Sequence, residues 1–298
     1  FDAAGSLAQN TSAAQTPSIL ITAPTHVAVT KLVSDLLEQI PKLRDEVVRY
    51  GNNEKVQGTD LEPVWHERLL SVLDPERGNQ SQADVSLQRW EKLLTTREGR
   101  ESAAKWLLGS KHLHAATCTG MARADYGLWR RTFDIAIIDE AGKAFGAELL
   151  IPASVAKKVV LVGDHNQLPP TVTTDVLDLD IGYRLSMTEV EELLRRNMFH
   201  EIFEQLPADG KGMLTTQFRM HKDIGDVVSE MFYDGHLDSA RSDEGWDLTR
   251  RRMTFVDFSK VSNYRHRKSN VSQSIENRTE RAAVHTLLAR MSKTGKFK

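Results

Sequence analysis

Runs of apolar residues that end in polar turns recur along the chain and predict the strands of a sheet. The clearest run is Phe133–Ile138, in which five of six residues are apolar and which two acids follow directly. A short apolar run of this kind is typical of a strand that is buried on both faces. Four further runs predict strands, the last of them again a buried one: Ser18–Ala23, Glu46–Gly51, Lys111–Gly120 and Lys157–Asp164.

Segments with helical spacing of apolar residues separate these runs. Val27–Ile40 is one, the segment after Gly142 is a second, and Met187–Leu206 is a third. Strands that alternate with helices predict an α/β fold, in which a parallel sheet carries helices on both faces. Residues 52–110 are polar and show helical spacing, so we interpret them as a helical insertion.

The sequence pattern in the last third of the chain predicts a boundary between two domains. A polar stretch at Asp238–Asp247 is typical of a boundary between domains. We expect a first domain at residues 1–240 and the beginning of a second, similar domain at residues 250–298. Two strand runs and one helical run support this division: Gly212–Phe218, Arg251–Phe258 and Ser274–Met291.

Polar side chains follow two neighbouring strands at the point where each strand ends. Asp139 and Glu140 come directly after one strand, and Asp164 and Gln167 come after the next. Ligands of open α/β sheets bind outside the carboxyl ends of the strands. An acid pair there suits a Mg²⁺ ion, held by one carboxylate, and a water, oriented by the other. The alternative is a strand that merely ends in solvated acids.

Composition excludes several classes of protein. The formal net charge of −2 gives no indication of a nucleic-acid partner, so any basic surface that binds nucleic acid would have to be local. Cys118 is the only cysteine, which excludes a disulfide framework and fits a reducing, intracellular and cytoplasmic location. The sequence holds no apolar run of transmembrane length, and its first residues do not form a signal peptide.

Five segments resemble motifs of superfamily-1 helicases, in the family's order. DEAG at 139–142 and VLVGDHNQLPPT at 160–171 resemble motifs II and III, most closely in the up-frameshift-type branch related to the nonsense-mediated-decay helicase. ITAPTHVAVTKL at 21–32 resembles motif Ia, and KHLHAATCTG at 111–120 resembles motif Ic. LTTQFRMH at 214–221 resembles the motif that carries a phosphate-sensing arginine. A sixth segment, EVVRYG at 46–51, is similar to motif Ib.

The resemblance implies an enzyme that uses ATP and Mg²⁺ and that couples ATP hydrolysis to movement along single-stranded DNA or RNA, from 5′ to 3′. It assigns Mg²⁺ to Asp139 and the attacking water to Glu140. It places Gln167 and Arg219 at the γ-phosphate and Phe218 beside the nucleotide. Lysine 143 departs from the glutamine or Ser-Gln that usually follows this acid pair in the family.

The resemblance also implies contacts to nucleic acid at two loops. In relatives, the loops of motifs Ia and Ic lie along the nucleic-acid backbone, which here points to Pro24, Thr25, His26, Thr119 and Gly120. Thr25 is explained equally well as a helix N-cap. His26 stands where relatives more often carry asparagine. We expect no membrane partner and expect the protein to act as a monomer.

The phosphate-binding sequence G-x-x-x-x-G-K-[ST] does not occur in the 298 residues. In relatives it precedes motif Ia, so we expect it outside this sequence and expect residues 1–298 alone to show no ATP hydrolysis. The alternative function is a non-hydrolysing RecA-like scaffold that binds nucleic acid or a protein. The intact set of Asp139, Glu140, Gln167 and Arg219 favours the helicase over that scaffold. A metal-dependent nuclease would need further acids at useful spacing.

Overall fold

The structure is a computed structural model that describes residues 16–56, 58–71, 95–170, 189, 192, 196–240, 255–262, 265–268 and 275–293. The chain divides into two compact units, Phe1–Gly212 and Met213–Lys298. Parts of the predicted insertion, most of the first half of the helix at 187–206 and all of the polar stretch after Ala240 lie outside the described residues. No described helix is both long and apolar enough to span a bilayer.

The first unit is built on a five-stranded sheet in the order β2-β3-β1-β4-β5. All four pairings are parallel, and they align Ile19 with Leu113 and with Ile135. Parallel neighbours require crossovers, and helices or helical turns provide them. The α/β fold with a RecA-like parallel sheet is therefore confirmed. The strands are β1 (Ile19–Ala23), β2 (Val47–Arg49), β3 (Leu113–Thr117), β4 (Phe133–Ile138) and β5 (Ala156–Leu161).

Helices cover both faces of the sheet, as predicted. The helices predicted at 27–40 and after Gly142 are present, and the described part of the helix predicted at 187–206 is helical from Met198. The described parts of residues 52–110 are helical on both sides of the gap. Short 3₁₀ turns complete several connections. The helices of the first unit are α1 (His26–Gln39), α2 (Asn53–Val56), α3 (His66–Leu70), α4 (Arg97–Gly109), α5 (Gly146–Ala153) and α6 (Met198–Gln205).

Alternating residues of β1 face two separate apolar layers. Ile19 and Ile21 pack with Val29 and Val33 of α1 on one face. Leu20 packs on the other face, against residues that include Phe133. Because successive side chains of a strand point to opposite faces, a strand with cover on both sides has all of its side chains buried. This explains why all five residues of β1 are buried.

The prediction that β5 is a buried strand is wrong. β5 forms as predicted, but it lies at the edge of the sheet and none of its residues is buried. Val159 and Val160 are 40% and 42% exposed. A single-sequence pattern reports apolar character but not the position of a strand in the sheet, so a central and an edge strand look alike.

The described residues of the second unit form short strands and two helices. The predicted strand at 212–218 is reduced to two residues, and residues 255–258 form no strand, which corrects the described part of the strand predicted at 251–258. Short strands bury little and leave a weak sequence pattern. The elements are β6 (Thr216–Gln217), α7 (Lys222–Phe232), β7 (Asp238–Ser239), β8 (Arg267–Lys268), β9 (Ile275–Glu276) and α8 (Arg278–Lys293).

A stack of buried rings lies beside the sheet in the first unit. Tyr50 stacks on His66 and on His114, with ring centroids 5.2 Å and 5.8 Å apart. Tyr126 meets His66 edge to face at 4.8 Å. Burial lowers the pKa of His66 to about 4 and that of His114 to about 3, where Arg131 adds to the effect. Both rings are therefore neutral in the folded chain near pH 7.

We expect the chain to lose stability as the pH falls below the ordinary histidine pKa of about 6.5. The unfolded chain then binds protons that the two buried rings do not, so the stabilisation is complete above that pH and is lost towards pH 4. At pH 5 each ring lowers the free energy of unfolding by roughly 2 kcal/mol. Urea midpoints at pH 7.5 and pH 5 measure the loss. His66→Phe should remove part of this loss of stability. His112→Gln, which changes a partly exposed ring, should leave the loss unchanged. Equal midpoints at both pH values would contradict the expectation.

Candidate functional site

The acid pair lies at the carboxyl end of β4, as predicted. The backbone N–H of Asp139 donates to the Thr22 carbonyl of the neighbouring strand at 2.8 Å, which fixes the first residue after β4. The Asp139 side chain is half-buried. Its pKa is raised because burial disfavours the charged carboxylate and because the Glu140 carboxylate lies beside it. Two neighbouring carboxylates in a partly desolvated position would be stabilised by a cation.

Glu140 has a backbone conformation that is uncommon for its residue type. Its φ of 54° and ψ of 33° lie in the left-handed region. A non-glycine residue there costs free energy, and such residues are frequent at functional sites. Lys143, three residues later, forms an ion pair with the Glu140 carboxylate at 2.8 Å. The unusual lysine therefore contacts the residue to which the resemblance assigns the attacking water.

The loop after β5 lies directly against the loop that carries the acid pair. Val162 donates to the Ile138 carbonyl and Ala141 donates to the Val162 carbonyl, each at 2.9 Å, so the ladder of β4 and β5 continues past the strand ends. A Cβ atom at Gly142 would lie 2.5 Å from the carbonyl oxygen of Asp164. Only glycine allows this approach, which explains the Gly142 that follows the acids at the second position.

Gln167 is exposed and held by its own loop. Its side-chain Nε2 donates to Asp164 at 2.9 Å, and the Asn166 backbone donates to the same carboxylate at 3.0 Å. His165 of this loop stacks on His200 of α6, with ring centroids 4.4 Å apart and planes 9° apart. The loop is thus packed between the acid pair and α6, while the amide of Gln167 stays accessible.

The carboxylates at this edge of the sheet could bind a cation whose remaining ligands come from a bound phosphate. Among the residues that the structure describes, no group of three or more histidine, cysteine, aspartate and glutamate side chains could hold a metal ion. Mg²⁺ in phosphate-transfer sites is typically held by one or two carboxylates together with substrate phosphates. Asp139 and its neighbour supply such carboxylates, so the residues present fit Mg²⁺ with a nucleotide.

A cavity of about 240 Å³ lies at the carboxyl ends of β1, β2 and β3, on the same edge of the sheet. Three of the five residues predicted to contact nucleic acid line it: His26, Thr119 and Gly120. Pro24 is half-buried, and Thr25 accepts a hydrogen bond from the Ala28 backbone at 3.3 Å as the N-cap of α1. The N-cap role of Thr25 is therefore observed.

Sequence reasoning missed three polar residues at this cavity. Asn52 and Arg123 line it, and the Arg123 guanidinium donates to Asn52 Oδ1 at 3.1 Å. Arg49 is fully buried beside it, hydrogen-bonded to the Tyr50 carbonyl and 3.2 Å from His26 Nδ1. The only signal for Arg49 was a charged residue at the end of an apolar strand, between Val48 and Tyr50.

In the second unit, Gln217 fixes the turn that presents Phe218 and Arg219. Its Oε1 accepts from the Arg219 and Met220 backbones at 2.9 Å and 2.7 Å, and its Nε2 donates to the Met220 carbonyl at 2.9 Å. Phe218 is 75% exposed, and Arg219 is also exposed. A Cβ atom at Gly225 would lie 2.9 Å from Gln217 Nε2, so glycine lets α7 approach this side chain.

The predicted residues therefore fall into three groups. Asp139, Glu140 and Gln167 lie on two adjoining loops at the ends of β4 and β5. The motif Ia and Ic residues lie at the ends of β1 and β3, three of them around the cavity. Phe218 and Arg219 belong to the second unit and share one turn.

Comparisons with known proteins find relatives along most of the chain. Two family models, each described as AAA domain, match residues 72–175 and 194–298. Similar proteins include DNA-binding protein SMUBP-2 of Mus musculus, 29% identical over 76% of this chain and 23% of its own length. Probable helicase MAGATAMA 3 of Arabidopsis thaliana is 30% identical over 74% and 24%. Regulator of nonsense transcripts 1 homolog of Drosophila melanogaster is 26% identical over 93% and 23%. The chain spans about a quarter of the length of these relatives.

Proposed function

This chain belongs to the superfamily-1 helicases, in their up-frameshift-type branch, and on that premise we propose that it couples ATP hydrolysis to movement along single-stranded nucleic acid. The observation that carries the proposal is the contact between the acid-pair loop and the Asp164–Gln167 loop at one edge of the sheet. The cavity at the other half of that edge, which His26, Thr119 and Gly120 line, supports a nucleic-acid contact. The direction of movement, 5′ to 3′, is proposed from the resemblance.

Each residue has a proposed role in this reaction. Asp139 holds Mg²⁺, and Glu140 orients the attacking water and accepts its proton through a carboxylate oxygen. Gln167 and, from the second unit, Arg219 contact the terminal phosphate, and Phe218 packs beside the nucleotide. When bound, the Mg²⁺ ion supplies charge stabilisation for the phosphate oxygens. The ion pair with Lys143 holds the Glu140 side chain in place before the nucleotide binds.

We expect Gln167→Ala to reduce the stimulation of ATP hydrolysis by single strands more than it reduces the basal rate. The Gln167 amide is accessible on a loop that continues into Pro169 and Pro170, which fix φ and transmit a shift of the loop. We expect the ratio of stimulated to basal rates to fall by roughly tenfold, as for the loss of about 1.4 kcal/mol of coupling. Steady-state hydrolysis by the complete protein, with and without a single strand, measures this ratio.

The matched control is Gln205→Ala, the same change at an exposed position of α6, which should leave the ratio unchanged. A wild-type protein whose hydrolysis is indifferent to single strands would contradict the proposed function. A Gln167→Ala protein with a lowered melting temperature and an unchanged ratio would instead identify Gln167 as a packing residue.

A further inference from the structure

Lys143 is joined to the acid pair by its backbone and by its side chain. Its N–H donates to the Glu140 carbonyl at 2.9 Å in the 3₁₀ turn over Ala141–Lys143, and its ammonium lies 2.8 Å from the Glu140 carboxylate. The same charge acts on the other acid. Burial is the main cause that raises the pKa of Asp139, Glu140 raises this pKa further, and Lys143 lowers it. One cation therefore serves two neighbouring carboxylates.

The backbone of this turn is fixed, so the Lys143 side chain is the part that can move. Ala141 is buried and packs in one apolar cluster with Ile138. Gly142 lies so close to Asp164 that a Cβ atom would be 2.5 Å from its carbonyl oxygen. The Lys143 side chain is 44% exposed and carries its charge on a flexible aliphatic stem. A change of partner by the ammonium therefore needs no movement of the backbone.

The ammonium provides the positive charge that a divalent cation would otherwise provide at this edge. A Mg²⁺ ion on Asp139 would share the same two carboxylates with Lys143, and two cations at one acid pair repel each other. An exposed ion pair such as that of Lys143 with Glu140 contributes little stability, so its exchange for another partner costs little. Phosphate oxygens are a suitable new partner, because lysine binds phosphate as a point charge. A nucleotide therefore brings ligands for the metal and a partner for the lysine together.

We propose that Lys143 is a positioning residue that serves as the resident counter-ion of Asp139 and Glu140 and competes with a divalent cation for them, so that the metal enters with the nucleotide and not before it. The inference rests on the proposed function, to which it adds a role for a residue that departs from the helicase pattern. In the empty site, the ammonium holds Glu140. When phosphates arrive, the ammonium transfers to a phosphate oxygen and leaves the Glu140 carboxylate to the attacking water.

Binding of Mn²⁺ without nucleotide tests the competition. Lys143→Met removes the charge and keeps most of the length of the side chain. We expect the 298-residue chain with this change to bind Mn²⁺ about tenfold more tightly than the wild type, because one nearby positive charge is lost. Lys143→Arg keeps the charge and should bind Mn²⁺ as the wild type does. Electron paramagnetic resonance of the free ion measures the affinities, and thermal melts show that the variants are folded.

Lys157→Met is the matched control for this experiment. Lys157 pairs with Asp134 at 2.7 Å near the amino ends of β5 and β4, so the same change removes a comparable ion pair at the opposite edge of the sheet. This variant should bind Mn²⁺ with the affinity of the wild type. Asp139→Asn combined with Lys143→Met should cancel the gain in affinity, which locates the ion at the acid pair. A gain that survives Asp139→Asn would overturn the proposal.

Nucleotide binding separates the competition from a purely structural role of Lys143. Because the lysine and Mg²⁺ replace each other as the cation, Lys143→Met should weaken binding of a fluorescent, non-hydrolysable ATP analogue by about tenfold without a divalent cation. With Mg²⁺ present, we expect the loss to be less than about threefold. Equilibrium titrations of the complete protein measure both affinities. A lysine that only stabilises the turn would lower both affinities equally, and that result would overturn the competition.

The counter-ion role and the proposed function can fail separately. Equal Mn²⁺ affinities of the wild type and Lys143→Met, in a protein whose ATP hydrolysis responds to single strands, would overturn the counter-ion role and leave the proposed function standing. A tenfold difference in Mn²⁺ affinity, in a complete protein that binds the ATP analogue but does not hydrolyse ATP, would overturn the proposed function and support the counter-ion role.

Discussion

We expect Arg219→Ala to lower the rate of ATP hydrolysis by the complete protein by about 10³-fold or more, comparable to the loss of an arginine finger. Arg219 carries a permanent charge on a planar fork of donors that matches phosphate oxygens. The turn that presents it is fixed, because Gln217 accepts from the Arg219 and Met220 backbones and donates to Ser239 at 2.7 Å. A side chain on a fixed turn needs little reorganisation to contact a developing charge.

Two variants near Arg219 separate a role in phosphate contact from a role in folding. Lys222→Ala removes a cation three residues away that is paired with Asp226 at 2.8 Å, and we expect its rate to stay within about twofold, as for an exposed pair worth little. Arg219→Lys keeps the charge without the fork and should recover only part of the activity. Stopped-time assays at saturating ATP compare the rates. Similar rates for Arg219→Ala and Lys222→Ala would exclude Arg219 from the proposed site.

The central strands and the acid pair could be predicted because their signals are local. β4 forms over Phe133–Ile138, the residues of the apolar run, and the acids follow at its carboxyl end. The next strand then brings Asp164 to the same edge, since parallel neighbours end on the same side. A buried parallel strand is constrained on both faces, so few alternatives are compatible with its sequence.

The exposure of the edge strand and the geometry of the second unit could not be predicted from local sequence signals. β5 has the same apolar character as β4, yet its exposure depends on what lies beyond the edge of the sheet. β6 and β7 are two residues each and pair with each other across more than twenty positions. Their geometry depends on the Gln217 and Ser239 side chains and on Gly225, which are contacts between distant residues. No window of local sequence contains them.

The cavity could not be predicted for a related reason. An arginine that ends a short strand is ordinarily expected at the surface, because burying an unpaired charge is costly. Arg49 is buried with its guanidinium against His26 of α1 and hydrogen-bonded to the Tyr50 carbonyl that follows β2. Asn52 and Arg123 are 71 residues apart in sequence, so only the parallel arrangement of β2 and β3 places them together.

We expect Glu140→Gln to lower the rate of ATP hydrolysis by the complete protein by about 10²- to 10⁴-fold, the range for the loss of a general base. The amide keeps the size of the side chain and can still accept from Lys143, but it cannot take the proton of the attacking water. We therefore expect the affinity for nucleotide to stay within about threefold, because the substitution removes an interaction of the transition state and not of the ground state. Single-turnover hydrolysis and equilibrium nucleotide binding measure the two quantities.

Glu148→Gln is the matched control for this substitution. Glu148 lies eight positions further along the chain, and its carboxylate accepts from the Phe145 backbone at 3.0 Å as part of the cap of α5. Glutamine can also accept there, so this variant should fold and turn over at the parental rate. The left-handed backbone of Glu140 tolerates glutamine no worse than glutamate, so a melting temperature close to wild type is expected for Glu140→Gln. Parental turnover by a folded Glu140→Gln protein would show that the carboxylate does not act on the water. The positive φ of Glu140 would then have a structural cause.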